Sequence, residues 1–222
     1  MNNTLKKNKV CAIIPFFNEA GTIEEVIDRS LNFVDCIIAV DDGSSDGSAD
    51  NIKNNDRVIF ISNPKNYGKG YALNTGFNES LKNDFEITIT LDADLQHKPE
   101  LIPNLVEGIN NFDIVIGNRL NNYKTMPLQR IVSNKLTSFL LSLKTRQKLL
   151  DTQSGFRAYK TKILNDILPL SFGFEAESEI LINAARKNYK IGFTPIPTIY
   201  GDEKSKLKSF QAIRGFIRIM MS

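Results

Sequence analysis

Residues 88–97, TITLDADLQH, run from a β-branched apolar stretch straight into two aspartates one residue apart. On a regular strand residues i and i+2 share a face, so Asp92 and Asp94 can converge on one hard cation from the same side. An unpaired buried carboxylate is costly, and two together call for a cation or a shared proton. Gln96 adds a neutral oxygen two residues on, and an all-oxygen donor set suits Mg²⁺ or Mn²⁺ rather than zinc. The bland alternative for a bare D-x-D is a strand-end turn with solvated aspartates.

Three further clusters carry chemistry. Asp41 and Asp42 end an apolar run in AVDDGSSDGS. There they can accept hydrogen bonds from a base or ribose, or serve a plain βα turn, which favours Asp, Gly and Ser. A calcium-loop reading of that stretch lacks the acidic residue at loop position twelve. In NPKNYGKGYALNTG, Gly68 and Gly70 precede a helical pattern without the Lys-Ser/Thr pair of a P-loop. Lys69 then stands at a helix start, placed for a phosphate or an acidic ligand. Glu177 falls three residues after Phe174 and four before Leu181, on the apolar helix face with Ile180, Leu181 and Ala184. Glu175 and Glu179 point elsewhere, so Glu177 is either a buried ion-pair partner or part of the site. His97 is the single histidine, and no Ser/His/Asp or Cys/His nucleophile arrangement is present.

Holding these groups together requires a scaffold whose signals are legible. KVCAIIPF, DCIIAVDD, RVIFIS, FEITITLDAD and FDIVIGNR read as strands. Between them GTIEEVIDRSLN, SDGSADNIKNN, GYALNTGFNESLKN and KPELIPNLVEGIN read as helices, the last broken late by Pro103. Continuous apolar strands separated by helices predict an α/β fold with a mainly parallel central sheet covered on both faces. Ligands of such sheets sit beyond the carboxyl ends of the strands. Those ends carry Asn18-Glu19, Asp41-Asp42, Asn63, Asp92-Asp94 and Asn118-Arg119. In the second half PLQRIVSNKLTSFLLSL reads as an amphipathic helix, DTQSGFRAYKTKILNDI as loop, strand and short helix, and FEAESEILINAARKN as a helix. YKIGFTPIPTIYG is extended, with Pro195 and Pro197 marking an edge.

The chain's 222 residues suit one well-cored domain, and no linker divides them. A net charge of +3 is too mild to argue for nucleic acid. Cys11 and Cys36, both in apolar runs, read as core residues in a reducing compartment. No signal-peptide pattern and no run of 18 apolar residues occurs, so the expectation is a cytoplasmic protein. The last stretch, KLKSFQAIRGFIRIMMS, places Phe210, Ile213, Ile217 and Met220 at helical spacing, with Arg214 and Arg218 opposite. That amphipathic helix either covers the core or makes peripheral contact with an anionic membrane face.

IIPFFNEAGTI, VDDGSSDGS, N-x-G-K-G-x-A-L-N-x-G, LDADLQHKPE, GNR, DTQSGFRAY and FEAESEI stand in the order of family-2 glycosyltransferases. Over Ala12 to Lys206 the chain most resembles the dolichyl-phosphate mannose synthase and polyprenyl-phosphate glycosyltransferase branch. The resemblance implies a GT-A fold in one domain spanning 1–222. Residues 8–120 would form a nucleotide-sugar-binding half, 121–206 an acceptor half and 207–222 the amphipathic helix. It assigns Pro15, Glu19 and Asp42 to the base and ribose of the donor, and Asp92, Asp94 and Gln96 to a Mg²⁺ or Mn²⁺ ion on its diphosphate; Asp41 and Lys69 join the donor site by their own placement. Arg119, Arg130, Ser133 and Lys206 fall to an acceptor phosphate. The implied catalytic residues are Asp94, Arg119 and Glu177.

The implied reaction is an inverting transfer of a hexose from a GDP-mannose- or UDP-glucose-type donor to a polyprenyl phosphate. The alternative acceptor is a saccharide hydroxyl, which needs a general base, with Glu177 as candidate. Processive synthases of the family carry a Q-x-x-R-W motif, and this chain has no tryptophan. A haloacid-dehalogenase-like phosphatase would need a threonine or valine where Gln96 stands. Nothing in the residues favours a non-catalytic sugar-nucleotide binder.

Overall fold

The computed structural model describes residues 9–50, 52, 55–119, 128–197 and 209–221, the side chains of 209–213 excepted. The first apolar run forms β1 (Val10–Phe16), buried at every position. A strand apolar on both faces must lie inside a covered sheet. It pairs in parallel with β2 (Cys36–Asp41) on one side. Beyond β2 lies β3 (Val58–Ser62), also parallel. On its other side β1 pairs in parallel with β4 (Ile87–Thr90).

β5 (Ile114–Asn118) does not pair with β4. Between them enters β6 (Arg157–Lys160), antiparallel to both, while β7 (Ile191–Pro195) closes the edge parallel to β5. The order is β3-β2-β1-β4-β6-β5-β7, with β6 alone reversed. The expected mainly parallel α/β sheet is present, and Pro195 does mark its edge. Sequential pairing of β4 with β5 does not occur, because four residues, RAYK, take the place between them.

Alternate residues of β1 feed two cores. Ala12, Ile14 and Phe16 face α1 (Ile23–Ser30) and α3 (Ile102–Gly108). Cys11 and Ile13 face α2 (Lys69–Lys82), α5 (Leu164–Ile167) and α6 (Ala176–Arg186). α1 shows how the pattern makes the element: Ile23, Val26, Ile27 and Ser30 are its buried positions, at i, i+3, i+4 and i+7.

Chain order reverses between β1 and β4, where an open α/β sheet has its crevice. The β1–β4 ladder stops at Ile13–Thr90, with one more bond from the Leu91 amide to the Ile13 carbonyl at 3.2 Å. The Phe16 carbonyl turns the other way, to the Asp42 amide. Pro15, which has no N–H, therefore faces the side where pairing has ended. The strands part there.

Four local expectations need correction. SDGSADNIKNN forms turns over its described part, not a helix. Asp46 accepts from the amides of Ala20 and Ser48, at 3.0 Å each, and from the Ser48 hydroxyl. Side chains that bond nearby amides in this way compete with helix formation. Pro103 does not break its helix. It stands in the first turn of α3, after a 3₁₀ turn at Pro99–Leu101, where a missing N–H costs nothing. β4 ends at Thr90, so Asp92 and Asp94 lie in a bend rather than on a strand face. The strand cannot continue, because the Asp92 amide donates to His97 Nδ1 at 3.1 Å.

The fourth correction concerns α7 (Ser209–Met221), whose described buried positions are Gly215 and Ile219. Ile217 is exposed beside Arg218, not on the core face with Met220. Phe210 and Ile213 lie outside the residues with described side chains. α4 (Leu128–Thr145) buries only Ser138 and Leu141. Ile131 and Leu140 are half-buried, whereas Leu128, Val132, Leu136, Phe139 and Leu143 form one exposed stripe at helical spacing. No helix among the described residues is long and apolar enough to cross a membrane.

Candidate active site

The loops after β1 and β2 are laced together by short polar side chains. The Asn18 amide donates to Ser44 Oγ at 2.9 Å, the Ser45 amide to Asn18 Oδ1 at 2.9 Å and the Glu19 amide to Ser48 Oγ at 2.7 Å. Asn18 has φ 55°, a conformation that asparagine tolerates better than most residues. Glu19 is thus set at the crevice rim, half-buried.

Asp41 and Asp42 are both buried. Asp41 accepts from the Ser44 amide at 2.8 Å and from Ser62 Oγ at 3.0 Å. Asp42 accepts from Asn63 Nδ2 at 2.9 Å, the Tyr67 amide at 3.2 Å and the Gly68 amide at 2.7 Å. The pair fixes the loops after β2 and β3 at the carboxyl edge of the sheet.

The glycines flanking Lys69 allow close packing. A Cβ at Gly70 would come 2.5 Å from the Ser171 carbonyl and 2.6 Å from Ala176 Cβ. The Gly70 amide already donates to the Phe172 carbonyl at 2.7 Å. That close approach brings the 171–176 segment, and with it the first turn of α6, against the start of α2.

The approach places Glu177 beside Lys69, the first residue of α2. Lys69 Nζ lies 2.6 Å from Asp92 Oδ1 and 3.0 Å from Glu177 Oε1. Burial alone would lower the lysine's pKa, but Asp92 and Glu177 outweigh it and hold the ammonium charged. Burial likewise opposes the Asp92 charge, and Lys69 outweighs it, keeping the carboxyl well below its usual range. Gly155 leaves room for this pair: a Cβ there would stand 2.9 Å from Asp92 Oδ2 and 3.0 Å from Lys69 Nζ. Glu177 is on the core-facing side as its spacing predicts, with Ile180, Leu181 and Ala184 fully buried below it.

His97 is buried behind Asp92 and stacked on Phe156, ring centroids 5.3 Å apart. Burial pushes its pKa down to about 4, so at neutral pH Nδ1 is a free acceptor for the Asp92 amide. It shapes the aspartate bend. The Gln96 amide donates to Asp94 Oδ1 at 3.0 Å, completing that bend.

On the far side of the crevice Arg119 follows β5. Its Nε and Nη2 lie 2.9 and 3.1 Å from the two oxygens of Asp151, whose side chain is fully buried. Such a forked contact fixes the guanidinium plane. Arg157 is buried without exposure and donates to the carbonyls of Ser154, Glu177 and Thr152, at 2.8, 2.8 and 3.0 Å. It ties the loop that carries Asp151 to the helix that carries Glu177. Asp151 and Arg157 both fall inside the motif DTQSGFRAY, but residue type and spacing give neither of them a role.

The fold thus brings Lys69, Asp92 and Glu177 into direct contact, with Arg119 held nearby. Pro15 and Glu19 stand on the opposite lip of the crevice. Arg130 and Ser133 lie near the start of α4, Arg130 half-buried and Ser133 exposed. Lys206 lies outside the described residues.

The donor set of Asp92, Asp94 and Gln96 is all oxygen and fits Mg²⁺ or Mn²⁺ in one mode. These ions use one or two carboxylates and complete their shell with substrate phosphates and water. Among the described residues no three His, Cys, Asp or Glu side chains are gathered into a self-sufficient metal cage. A cation, the Lys69 ammonium, already stands against Asp92.

Comparisons with known proteins place the chain in a family. Residues 11–168 match the family described as Glycosyl transferase family 2. A UDP-N-acetylglucosamine–dolichyl-phosphate N-acetylglucosaminyltransferase of Methanococcus voltae is 34% identical, over 92% of this chain and 90% of that one. A dolichol-phosphate mannosyltransferase of Pyrococcus furiosus is 32% identical over 96% of this chain, and the match spans 64% of that protein. The crystal structure of glucosyl-3-phosphoglycerate synthase from Mycobacterium tuberculosis, with Mn²⁺, uridine diphosphate and phosphoglyceric acid, has the same GT-A fold. Its TM-score is 0.74 at 20% identity, covering 96% of this chain and 79% of that one. A chain with this sheet and crevice, matched over most of its length by that family, belongs to glycosyl transferase family 2.

Proposed function

We propose that this enzyme transfers a hexose from a nucleotide sugar to a polyprenyl phosphate, with inversion at the anomeric carbon. The relatives named above act on dolichyl phosphate by their names. The observation that carries the choice of acceptor is Glu177, whose carboxylate is engaged by Lys69 at 3.0 Å. A saccharide hydroxyl needs a base to take its proton, and this carboxylate is committed to an ammonium. A phosphate monoester is largely ionised at neutral pH and needs placement rather than deprotonation.

Residues 8–120 supply the donor half, with Pro15, Glu19, Asp41 and Asp42 framing the nucleoside. Asp92, Asp94 and Gln96 would hold Mg²⁺ or Mn²⁺, which supplies Lewis-acid neutralisation of the diphosphate leaving group. Arg119, oriented by Asp151, sets the acceptor phosphate, and Arg130, Ser133 and Lys206 belong to the same acceptor half, residues 121–206. An acceptor phosphate oxygen attacks the anomeric carbon as the bond to the nucleoside diphosphate breaks. The electron pair leaves with the diphosphate.

The exposed stripe of α4 fits a peripheral seat on an anionic cytoplasmic membrane face. α4 and α7 carry no acidic residue, and Arg130, Lys135, Lys144, Arg214 and Arg218 supply positive charge. A second copy presenting the same face would be repelled, whereas anionic headgroups would be attracted. Lys144 Nζ donates to the Met220 carbonyl at 2.9 Å, joining α4 to the last turn of α7. The Thr152 amide donates to Ser138 Oγ at 3.1 Å, rooting α4 beside Asp151 and Arg119.

The deciding experiment supplies detergent-dispersed polyprenyl phosphate, Mg²⁺ or Mn²⁺ and a panel of radiolabelled GDP- and UDP-sugars, and counts label in the organic phase. Metal-dependent label from one donor is the expected result. Transfer to a saccharide alone, abolished in Glu177→Gln, would replace this reading with the hydroxyl-acceptor one.

A further inference from the structure

Lys69 stands against Asp92, one of the three residues that would hold a divalent ion. Its ammonium lies 2.6 Å from Asp92 Oδ1, in a setting where only 17% of the lysine side chain and 28% of the aspartate are exposed. The other face of Asp92 is closed by Gly155 and by the His97 ring, whose Nδ1 is 3.7 Å from Oδ2. Two cations sharing one carboxylate oxygen at such range repel each other strongly.

Resting on the metal-dependent reading above, we infer that Lys69 is a resident counter-ion of the metal site. Its ammonium neutralises Asp92 in the empty enzyme and must leave Oδ1 before a divalent ion can take that oxygen. Lys69 keeps a second partner, Glu177 at 3.0 Å, so it can let go of Asp92 without becoming an unpaired buried charge. Its flexible four-carbon stem allows a short swing about that second contact. An incoming diphosphate offers both the missing metal ligands and an anion for the freed ammonium. Metal therefore enters with the nucleotide, not ahead of it. The exchange spares the empty enzyme a cluster of uncompensated carboxylates.

The test is a Mn²⁺ titration of the full chain, reading free Mn²⁺ by electron paramagnetic resonance, with and without uridine diphosphate. Lys69→Met should bind Mn²⁺ without nucleotide about ten- to a hundredfold more tightly than wild type, the size expected for removing one competing charge-assisted contact. The enhancement by uridine diphosphate should shrink by a similar factor. Lys69→Arg keeps the charge, and Lys98→Met removes an exposed lysine two residues past Gln96. Both should stay within about twofold of wild type.

Equal nucleotide-free affinity in wild type and Lys69→Met would overturn the inference. So would an equal gain in Lys98→Met, which would mark a long-range charge effect. Lys69→Gln replaces the methionine variant if thermal melting shows that the latter is unfolded. Wild type that binds no Mn²⁺ even with saturating uridine diphosphate breaks the metal reading itself, and the inference with it.

Discussion

The crevice beyond β1 and β4 and the outer face of α4 depart from the ordinary globular pattern in opposite senses. One buries polar groups, the other exposes apolar ones, and these are the two departures that carry information. In the crevice the buried carboxylates are answered inside the chain: Asp42 by the Tyr67 and Gly68 amides, Asp151 by Arg119, Asp92 by Lys69. A site so satisfied is stiff, and it is built to exchange partners. On α4 the described chain gives Leu128, Val132, Leu136, Phe139 and Leu143 no cover.

Breaking the crevice should cost most. Asp92→Asn keeps the shape and removes the charge, and sugar transfer (kcat/KM) should fall about a thousandfold, as when a main electrostatic group is lost. A variant retaining a tenth of wild-type transfer would show that Asp92 is not central. Asp151→Ala leaves Arg119 without its forked partner, and stability in a urea titration should drop by about 3 kcal/mol. A loss under 1 kcal/mol would mean that the pair is not a strut of the crevice.

The other half of the comparison is sharpened by acid on the stripe. Leu136→Glu with Phe139→Glu should weaken binding to phosphatidylglycerol-containing vesicles about a hundredfold, from two apolar side chains at ~1.5 kcal/mol each. Urea stability should change by no more than about 0.5 kcal/mol, since neither residue packs on the core. Unchanged vesicle binding with a shift in oligomeric state would move the partner from a membrane to a second copy.

The smallest effect lies away from both regions. Burial pushes the Cys11 thiol up to about 11, from an ordinary value near 9. The unfolded chain loses that proton first, so stability present below pH 9 should be lost as pH rises towards 11. Comparing urea midpoints of wild type and Cys11→Ala at pH 8 and 10.5 isolates this slope, which should be shallower in the variant.

Much of this was legible along the chain. Apolar runs marked five strands, four of them buried on both faces, where little choice of residue is left, and β3 half-exposed at the edge. The polar strand ends located the crevice, because only there can a parallel sheet place carboxylates beside a ligand. Spacing alone also set Glu177 on the buried face of its helix. Local periodicity reaches that far because it reports which side of an element meets water.

Tertiary structure decided what periodicity cannot see. That β6 slips in between β4 and β5, that Asp151 waits for Arg119, and that Arg157 gathers three carbonyls all depend on residues brought together from distant parts of the chain. The phase of α7 went the same way, since Gly215 and Ile219 lie inward and Ile217 outward. The role of Lys69 is the clearest case. A lysine opening a glycine-flanked helix reads as placed for a phosphate or an acidic ligand, and the fold sets it between the carboxylates of Asp92 and Glu177. Its charge is local to the sequence, whereas the field that holds it comes from two other elements, and only the folded chain brings them within 3 Å of it.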